Sequence, residues 1–248
     1  MNQKDKLVAN RIYLILAALF IASLVTSNLI FQKFFYWYPF EIEIFEVKLF
    51  EVSVGLLPYP LTFLITDILS EIYGKRKANE VVIAGIFASF FSLLIIYISK
   101  VVPATSWSQV QDDTFLNVFG AAPLAVFASM AAYLFAQFID IRVYHFWKKL
   151  TKGKHLWLRN NFSTFSSQFI DTLTVLILLC SFEIINWDKF WGLLLSGVIF
   201  KILIALIDTP FLYIVVYAFR KRFRLKVQDE ITDDILLNTK DDVAHIKL

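Results

Sequence analysis

Apolar residues in this chain gather into six long runs, at 12–31, 54–73, 81–102, 116–139, 162–182 and 190–219, with polar residues concentrated between them. Each run reaches the roughly 20 residues a helix needs to cross about 30 Å of hydrocarbon. The pattern predicts an all-α membrane protein with six transmembrane helices. One connecting segment departs from it. EIEIFEVKLFEVSV at 41–54 alternates charged and apolar residues, which predicts an extended strand or hairpin lying on the surface.

Two runs carry proline. In GLLPYPLTFLITDILSEIYG at 55–74, Pro58 and Pro60 each lack an N–H and clash with the preceding turn, so the regular helix is expected to start near Pro60 and to leave 55–59 irregular. In IDTPF at 207–211, Pro210 deprives the carbonyl of Leu206 of its partner, and a second break is expected there. Discontinuous membrane helices point to a transporter site. Dividing six spans three and three gives an inverted 3+3 repeat with broken second and sixth helices. It equates LITDIL (64–69) with QFIDTL (168–173) and brings Asp67 and Asp171 towards a pseudo-twofold axis.

Composition and charge add class and orientation. The chain is 58% apolar with mean hydropathy +0.64, which excludes an ordinary soluble domain. Of the 24 Lys and Arg, 19 fall at the N-terminus, at 74–80, at 140–163 and after residue 219, which places both termini in the cytoplasm. The net charge of +3 thus marks the inner membrane face and its anionic headgroups rather than a nucleic-acid surface. The first run follows Lys4, Lys6 and Arg11 but ends in TSNLIF, without a small-residue cleavage site, and is expected to be retained. Residues 1–226 read as one membrane domain and 227–248 as an acidic, disordered cytoplasmic tail. Cys180 is the one cysteine, excluding an internal disulfide or a CxxC pair. HExxH, GxSxG and Walker motifs are missing, and His145, His155 and His245 lie in cytoplasmic segments. No enzyme, metal or cofactor is expected.

The chemistry lies in polar groups inside the apolar runs. Asp67 and Glu71 are four residues apart on the second span; Gln137 and Asp140 end the fourth; Gln168 and Asp171 sit on the fifth; Lys201 and Asp208 share a face of the sixth. An ionised group at bilayer centre costs about 2.5–3.5 kcal/mol on the gentlest scale, so such groups pair, face the bundle interior or line a pathway. Asp171 is expected roughly 13 Å into the membrane, with Lys201 and Asp208 on either side of the midplane. Glu71, Asp140 and Arg142 belong nearer the cytoplasmic rim. Lys201 is expected to pair with Asp171 or Asp208, and Asp140 with Arg142 or Arg159. The tetrapeptide QFID occurs twice, at 137–140 and 168–171, and is read as an amide and an acid presented twice to one cavity.

The stretches PYPLTFLITDILSEIYGKRKA (58–78) and LWLRNNFSTFSSQFIDT (156–172) closely resemble the signature segments of the bacterial queuosine-precursor transporters, a family also filed as vitamin uptake transporters. The resemblance implies a multi-pass importer in the cytoplasmic (inner) membrane, carrying 7-deazaguanines such as the cyano and aminomethyl forms, or queuine, for tRNA-modification salvage. Matched to such a ring, Asp171 is expected to accept its adjacent N–H and amino group. Gln168 and Gln137 would meet the remaining polar atoms, with Asp67 and Asn28 as further candidates. Lys201, Asp208, Glu71 and Asp140 are the candidates for coupling or ion pairing. Within the cytoplasmic motif of Arg159, Asn160, Asn161, Ser163 and Thr164, either Asn161 or Ser163 caps the fifth helix and Arg159 anchors at the interface, or the run forms a gate. A secondary transporter is expected. The alternative is the substrate-binding membrane subunit of an ATP-driven vitamin importer, docked through small residues such as Ala18 and Ala22. The reading leaves room for a homodimer.

Overall fold

The computed structural model describes residues 3–30, 33–36, 43–44, 47–48, 51–120, 123–152, 154–183, 185–226 and 229–231. The long helices are α1 (Gln3–Ile30), α2 (Tyr59–Ile72), α3 (Gly74–Val101), α5 (Pro123–Leu150), α6 (Leu156–Ser181) and α7 (Phe190–Phe223). A four-residue α4 (Asp112–Phe115) runs into one wide helical turn, Leu116–Gly120, ahead of α5. Among the described residues, α1, α3, α6 and the stretch Trp187–Phe223 that contains α7 are long and apolar enough to cross a membrane. The chain is a multi-pass membrane protein.

Burial is arranged inside out relative to a soluble bundle. Large apolar side chains such as Leu14, Phe87, Phe91, Trp191 and Ile214 are exposed on α1, α3 and α7, while Asp67, Glu71, Asp140, Arg159 and Asp171 are buried. Hydrocarbon around the protein explains both halves of that distribution, since it solvates the apolar faces and forces ionised groups inward. The centre is α2. It is only 14 residues long, and ten of them, Thr62, Phe63 and the unbroken stretch 65–72, are buried among α1, α3, α5 and α7.

The entry to α2 is irregular, as its prolines require. A 3₁₀ turn, Val54–Leu56, precedes it, Gly55 donates its N–H to Ser53 Oγ at 3.1 Å, and Ser27 of α1 donates its hydroxyl to the Gly55 carbonyl. Pro58 then serves as N-cap and Pro60 sits in the first turn, where its missing N–H is no loss. The break expected in the sixth long helix does not occur: α7 runs without interruption through Pro210. Thr209 donates its hydroxyl to the Ala205 carbonyl at 3.0 Å, and its Oγ1 accepts from Asn161 Nδ2 of α6 at 3.1 Å. A neighbouring helix and a threonine hydroxyl thus brace the backbone around the proline, the usual way a membrane helix tolerates one.

The alternating segment is found as antiparallel ribbons. β1 (Phe34–Tyr36) pairs with β4 (Glu51–Ser53), and β2 (Glu43–Ile44) with β3 (Val47–Lys48); residues 41–42, 45–46 and 49–50 lie outside the described residues. Phe35 of β1 and Leu56 pack on Phe200 of α7, so the first ribbon closes one end of the bundle over α2 and α7.

At the opposite end the start of α1, the end of α7 and residues 229–231 meet the α2–α3 corner. Tyr73 donates its hydroxyl to the Ala9 carbonyl at 2.7 Å, Arg222 pairs with Asp5 at 2.6 Å, and Ile231, fully buried, donates its N–H to the Ile72 carbonyl at 2.7 Å. That last bond satisfies one of the carbonyls a helix leaves open at its C-terminus. Of the acidic tail expected over 227–248, residues 229–231 are thus docked against the bundle, and 227–228 and 232–248 lie outside the described residues.

The corner turns at Gly74, which has φ +81 and whose Cβ, if present, would run into the Glu230 carboxylate. Both constraints oppose a side chain. Gly74→Ala is therefore expected to destabilise the protein by about 1–2 kcal/mol, read as a lower thermal midpoint in detergent, with the 229–231 segment more open to protease.

Candidate functional site

The polar residues of the interior sort into three groups along the bundle. The first lies where the start of α2 meets α6 and α7. Tyr59 donates its hydroxyl to Asp171 Oδ2, Lys201 pairs with the same oxygen at 2.6 Å, and the Lys201 ammonium sits 4.7 Å from the centre of the Tyr59 ring. Tyr59 in turn packs on Tyr133, with ring centres 4.7 Å apart, and on Phe63 at 5.4 Å. Thr164, Gln168 and Asp171 recur at helical spacing on one face of α6. Thr164 Oγ1, Gln168 Oε1 and Asp171 Oδ1 are buried without a hydrogen-bond partner, an unusual concentration, since buried polar atoms are nearly always satisfied.

A small cleft of about 20 Å³ opens between Tyr59, Phe63, Thr164, Gln168, Lys201 and Asp208. That is room for about one water. A small organic molecule needs several hundred Å³, so this site is closed and has to widen to admit one. Its chemistry is that of a receptor for a flat polar ring: aromatic faces, an acid, an amide, a hydroxyl and a cation.

The second group lies about two helical turns further along α2, where Asp67 comes within hydrogen-bonding reach of Asp140 on α5. Asp140 accepts from Ser167 Oγ at 2.9 Å. It meets neither Arg142, which is exposed, nor Arg159, so the ion pair expected for it is replaced by a carboxyl contact.

The third group centres on Glu71, whose side chain is 1% exposed. Arg159 pairs with it at 2.5 Å, Arg220 pairs with the same oxygen, Lys148 lies at 3.7 Å and Tyr144 donates its hydroxyl at 3.0 Å. Lys148 also pairs with Glu230 at 2.7 Å. Arg159 is therefore a buried ion-pair partner rather than an interfacial anchor. The cap reading of the same motif fails too: α6 starts at Leu156 behind His155, so Asn161 and Ser163 lie inside the helix. Asn161 donates to the Trp157 carbonyl at 2.8 Å, and Ser163 to the Asn160 carbonyl at 3.0 Å. The helix extends because the Glu71 carboxylate neutralises Arg159 inside the bundle.

A family model described as "Putative vitamin uptake transporter" matches residues 53–215. The chain belongs to this family. A relative in Bacillus subtilis (strain 168), named "Probable queuosine precursor transporter", is 28% identical over 162 residues, covering 65% of this chain and 70% of that protein. No solved structure matches. The family span contains Tyr59, Asp67, Asp140, Asp171 and Lys201, and it leaves out Asn28, Arg220 and Glu230.

Within this member of the family the candidates do not all converge. Gln137 is fully buried but lies behind the cleft: it donates to Tyr133 Oη at 2.8 Å and accepts from Thr66 Oγ1 at 3.2 Å, so it supports the Tyr59–Tyr133 stack. Asn28 lines a separate apolar cleft of about 360 Å³ between α1, α3 and the turn before α5, which shares no lining residue with the first. The two QFID copies diverge as well, one supplying Asp140 to the carboxyl contact and the other Gln168 to the cleft and Asp171 to Tyr59 and Lys201 beside it. Tyr59, Tyr133, Tyr144, Lys148, Ser167 and Arg220 are prominent in the structure without having been singled out from the sequence. Tyr59 had a signal, its place between Pro58 and Pro60 at the one irregular helix start. The others read as ordinary aromatic, hydroxyl and basic residues until their helices are packed.

Removing one member of the Lys201–Asp171 pair leaves the other charged and buried. Lys201→Met is expected to cost about 3–5 kcal/mol, and the double variant Lys201→Met/Asp171→Asn to recover most of it. A double-mutant cycle on thermal unfolding in detergent measures this coupling.

Proposed function

We propose that this chain imports queuosine precursors, 7-deazaguanines such as the cyano and aminomethyl forms or queuine, across the bacterial cytoplasmic (inner) membrane as a secondary transporter. Membership of the vitamin uptake transporter family and the name of the Bacillus subtilis relative support the substrate class. The observation that carries the reading is the cleft, where Thr164 and Gln168 of α6, each with an unsatisfied polar atom, face aromatic rings from α2, and where the lining Tyr59 and Lys201 both hold the buried Asp171.

A 7-deazaguanine offers an N–H and an amino group side by side, which one carboxylate accepts together in a charge-assisted contact. Asp171 Oδ1 is open for it, and Oδ2 becomes so once Lys201 or Tyr59 lets go. Gln168 and Thr164 serve the remaining ring atoms, and Tyr59 and Phe63 cover its faces. Asp208, two turns along α7 from Lys201, gives the lysine a second carboxylate to turn to as substrate displaces it. Substrate then exchanges for an internal ion pair, so neither state leaves a buried charge unmatched.

Six crossings with both termini in the cytoplasm fit this reading. Four helices cross by length and hydropathy, α5 has the same 28 residues as α1 and α3, and α2, with the turn before it, runs from the ribbon end to the terminal end. Among the described residues, the start of α1 and the end of α7 lie at one end, where Arg222 pairs with Asp5, and that arrangement requires an even number of crossings between them. The unbroken α7 removes one of the two broken helices expected alongside the 3+3 repeat. Across the whole chain, Glu71 and its cations tie together the end that releases substrate.

Uptake of radiolabelled aminomethyl-7-deazaguanine into cells unable to make the precursor and expressing this chain alone tests the proposal. Saturable uptake that excess guanine barely inhibits is expected, and Asp171→Asn is expected to reduce it by about tenfold or more. No uptake from correctly inserted protein overturns the self-sufficient transporter. Uptake restored by an added ATPase module would favour the importer-subunit reading instead.

A further inference from the structure

Among the described residues, Asp67 and Asp140 form a contact in the interior where acid meets acid. They are 3% and 1% exposed. Asp140 Oδ1 accepts from Ser167 Oγ at 2.9 Å, and the Ser163 hydroxyl reaches the same carboxyl. Asp67 Oδ1 and Asp140 Oδ2 receive no donor from any other described group, yet the two carboxyls lie within hydrogen-bonding reach of each other. Carboxylate oxygens are acceptors only. Two of them in contact, away from water, repel unless a proton lies between, because like charges so placed cannot both ionise.

The surroundings favour the same conclusion. The titratable and charged groups that face the pair are Glu71 on α2, Asp208 on α7, and Tyr133 and Tyr144 on α5. Two of these are further acids. The basic groups Arg159 of α6, Arg220 of α7 and Lys148 of α5 are gathered on Glu71. Lys201, by contrast, is matched one to one by Asp171, a pair already neutral without a proton.

We propose that Asp67 and Asp140 hold one shared proton and form the proton-binding site that drives import. The inference rests on the reading of the chain as a transporter and names where its driving ion binds. The proton comes from water on the outer side onto a carboxylate oxygen and leaves to cytoplasmic water; no bond to substrate forms or breaks. Linkage to substrate runs through α6, whose Thr164 lines the cleft while Ser163 and Ser167, on the same helix face, hold Asp140. A movement of α6 that opens the cleft also changes the hydroxyl support and the hydration of the pair. Accumulation accordingly increases as the outside becomes more acidic than the inside.

The test uses purified full-length protein in liposomes containing a pH-sensitive dye, with potassium and valinomycin clamping the potential and aminomethyl-7-deazaguanine as probe. Wild type is expected to acidify the lumen as substrate enters. One proton per substrate across a one-unit pH gradient supports about a tenfold accumulation. Asp140→Asn, which mimics the protonated acid, is expected to keep gradient-free substrate exchange within about threefold of wild type while accumulation falls to an inside-to-outside ratio near unity. Asp67→Asn is expected to lose the acidification as well. The proposal is overturned by wild-type exchange without acidification, by accumulation that follows a sodium gradient instead, or by Asp140→Asn retaining pH-driven accumulation. Absence of exchange by the wild type overturns the transport reading itself. If Asp140→Asn fails to fold, the Asp67→Asn variant carries the test of the site, and absence of the wild-type dye signal overturns the coupling in any case.

Discussion

Glu71 is a buried carboxylate in the last turn of α2, at one end of an apolar bundle, and the packing of four helices depends on how its charge is met. Arg159 brings in α6, Arg220 brings in α7, and Tyr144 and Lys148 bring in α5, all onto α2. Lys148 then reaches Glu230, so the segment after α7 joins the same cluster. In hydrocarbon an unmatched ion is far more costly than in water, and each of these contacts therefore fixes a helix position and not merely a side chain. A cluster of this kind is weak evidence of added stability, since desolvation offsets much of the attraction. What it does is specify which helix ends come together.

Along α2 the balance of buried charge changes in one direction. Near its C-terminus cations outnumber Glu71. In its middle Asp67 meets another acid. At its start Tyr59 meets an acid and a lysine that cancel. The three settings suit three tasks: holding an end closed, binding a proton, and exchanging an internal ion pair for a polar ligand. Their order follows from the helix itself, because Tyr59, Asp67 and Glu71 project from one short element buried on nearly every side.

Much of the fold was legible in the sequence because solvation by lipid acts on composition directly. Apolar runs became helices, the paired prolines Pro58 and Pro60 set the start of α2, and the alternating segment became ribbons. Pro210 was read as a break and is not one, because what mattered was a neighbour: Asn161 and Thr209 brace α7 from another helix. The start of α6 was placed too late for a similar reason. The run LWLRNN looks like a polar border only while Arg159 lacks its counter-ion.

The candidate site shows the same division. Sequence by itself determined the class of the protein, the approximate spans, and that acids, amides and a lysine would be buried within them, since hydropathy and helical spacing are properties of single segments. It could not determine which acid meets which partner. Lys201 had Asp171 and Asp208 within equal sequence logic, and the two QFID copies looked like one need answered twice. Only the packing of α2 against α5, α6 and α7 decided that Asp171 faces a lysine, Asp140 another acid and Glu71 three cations. Electrostatic pairing depends on distances of a few ångströms between separate helices, and those distances are set by how the helices pack rather than by any stretch of chain.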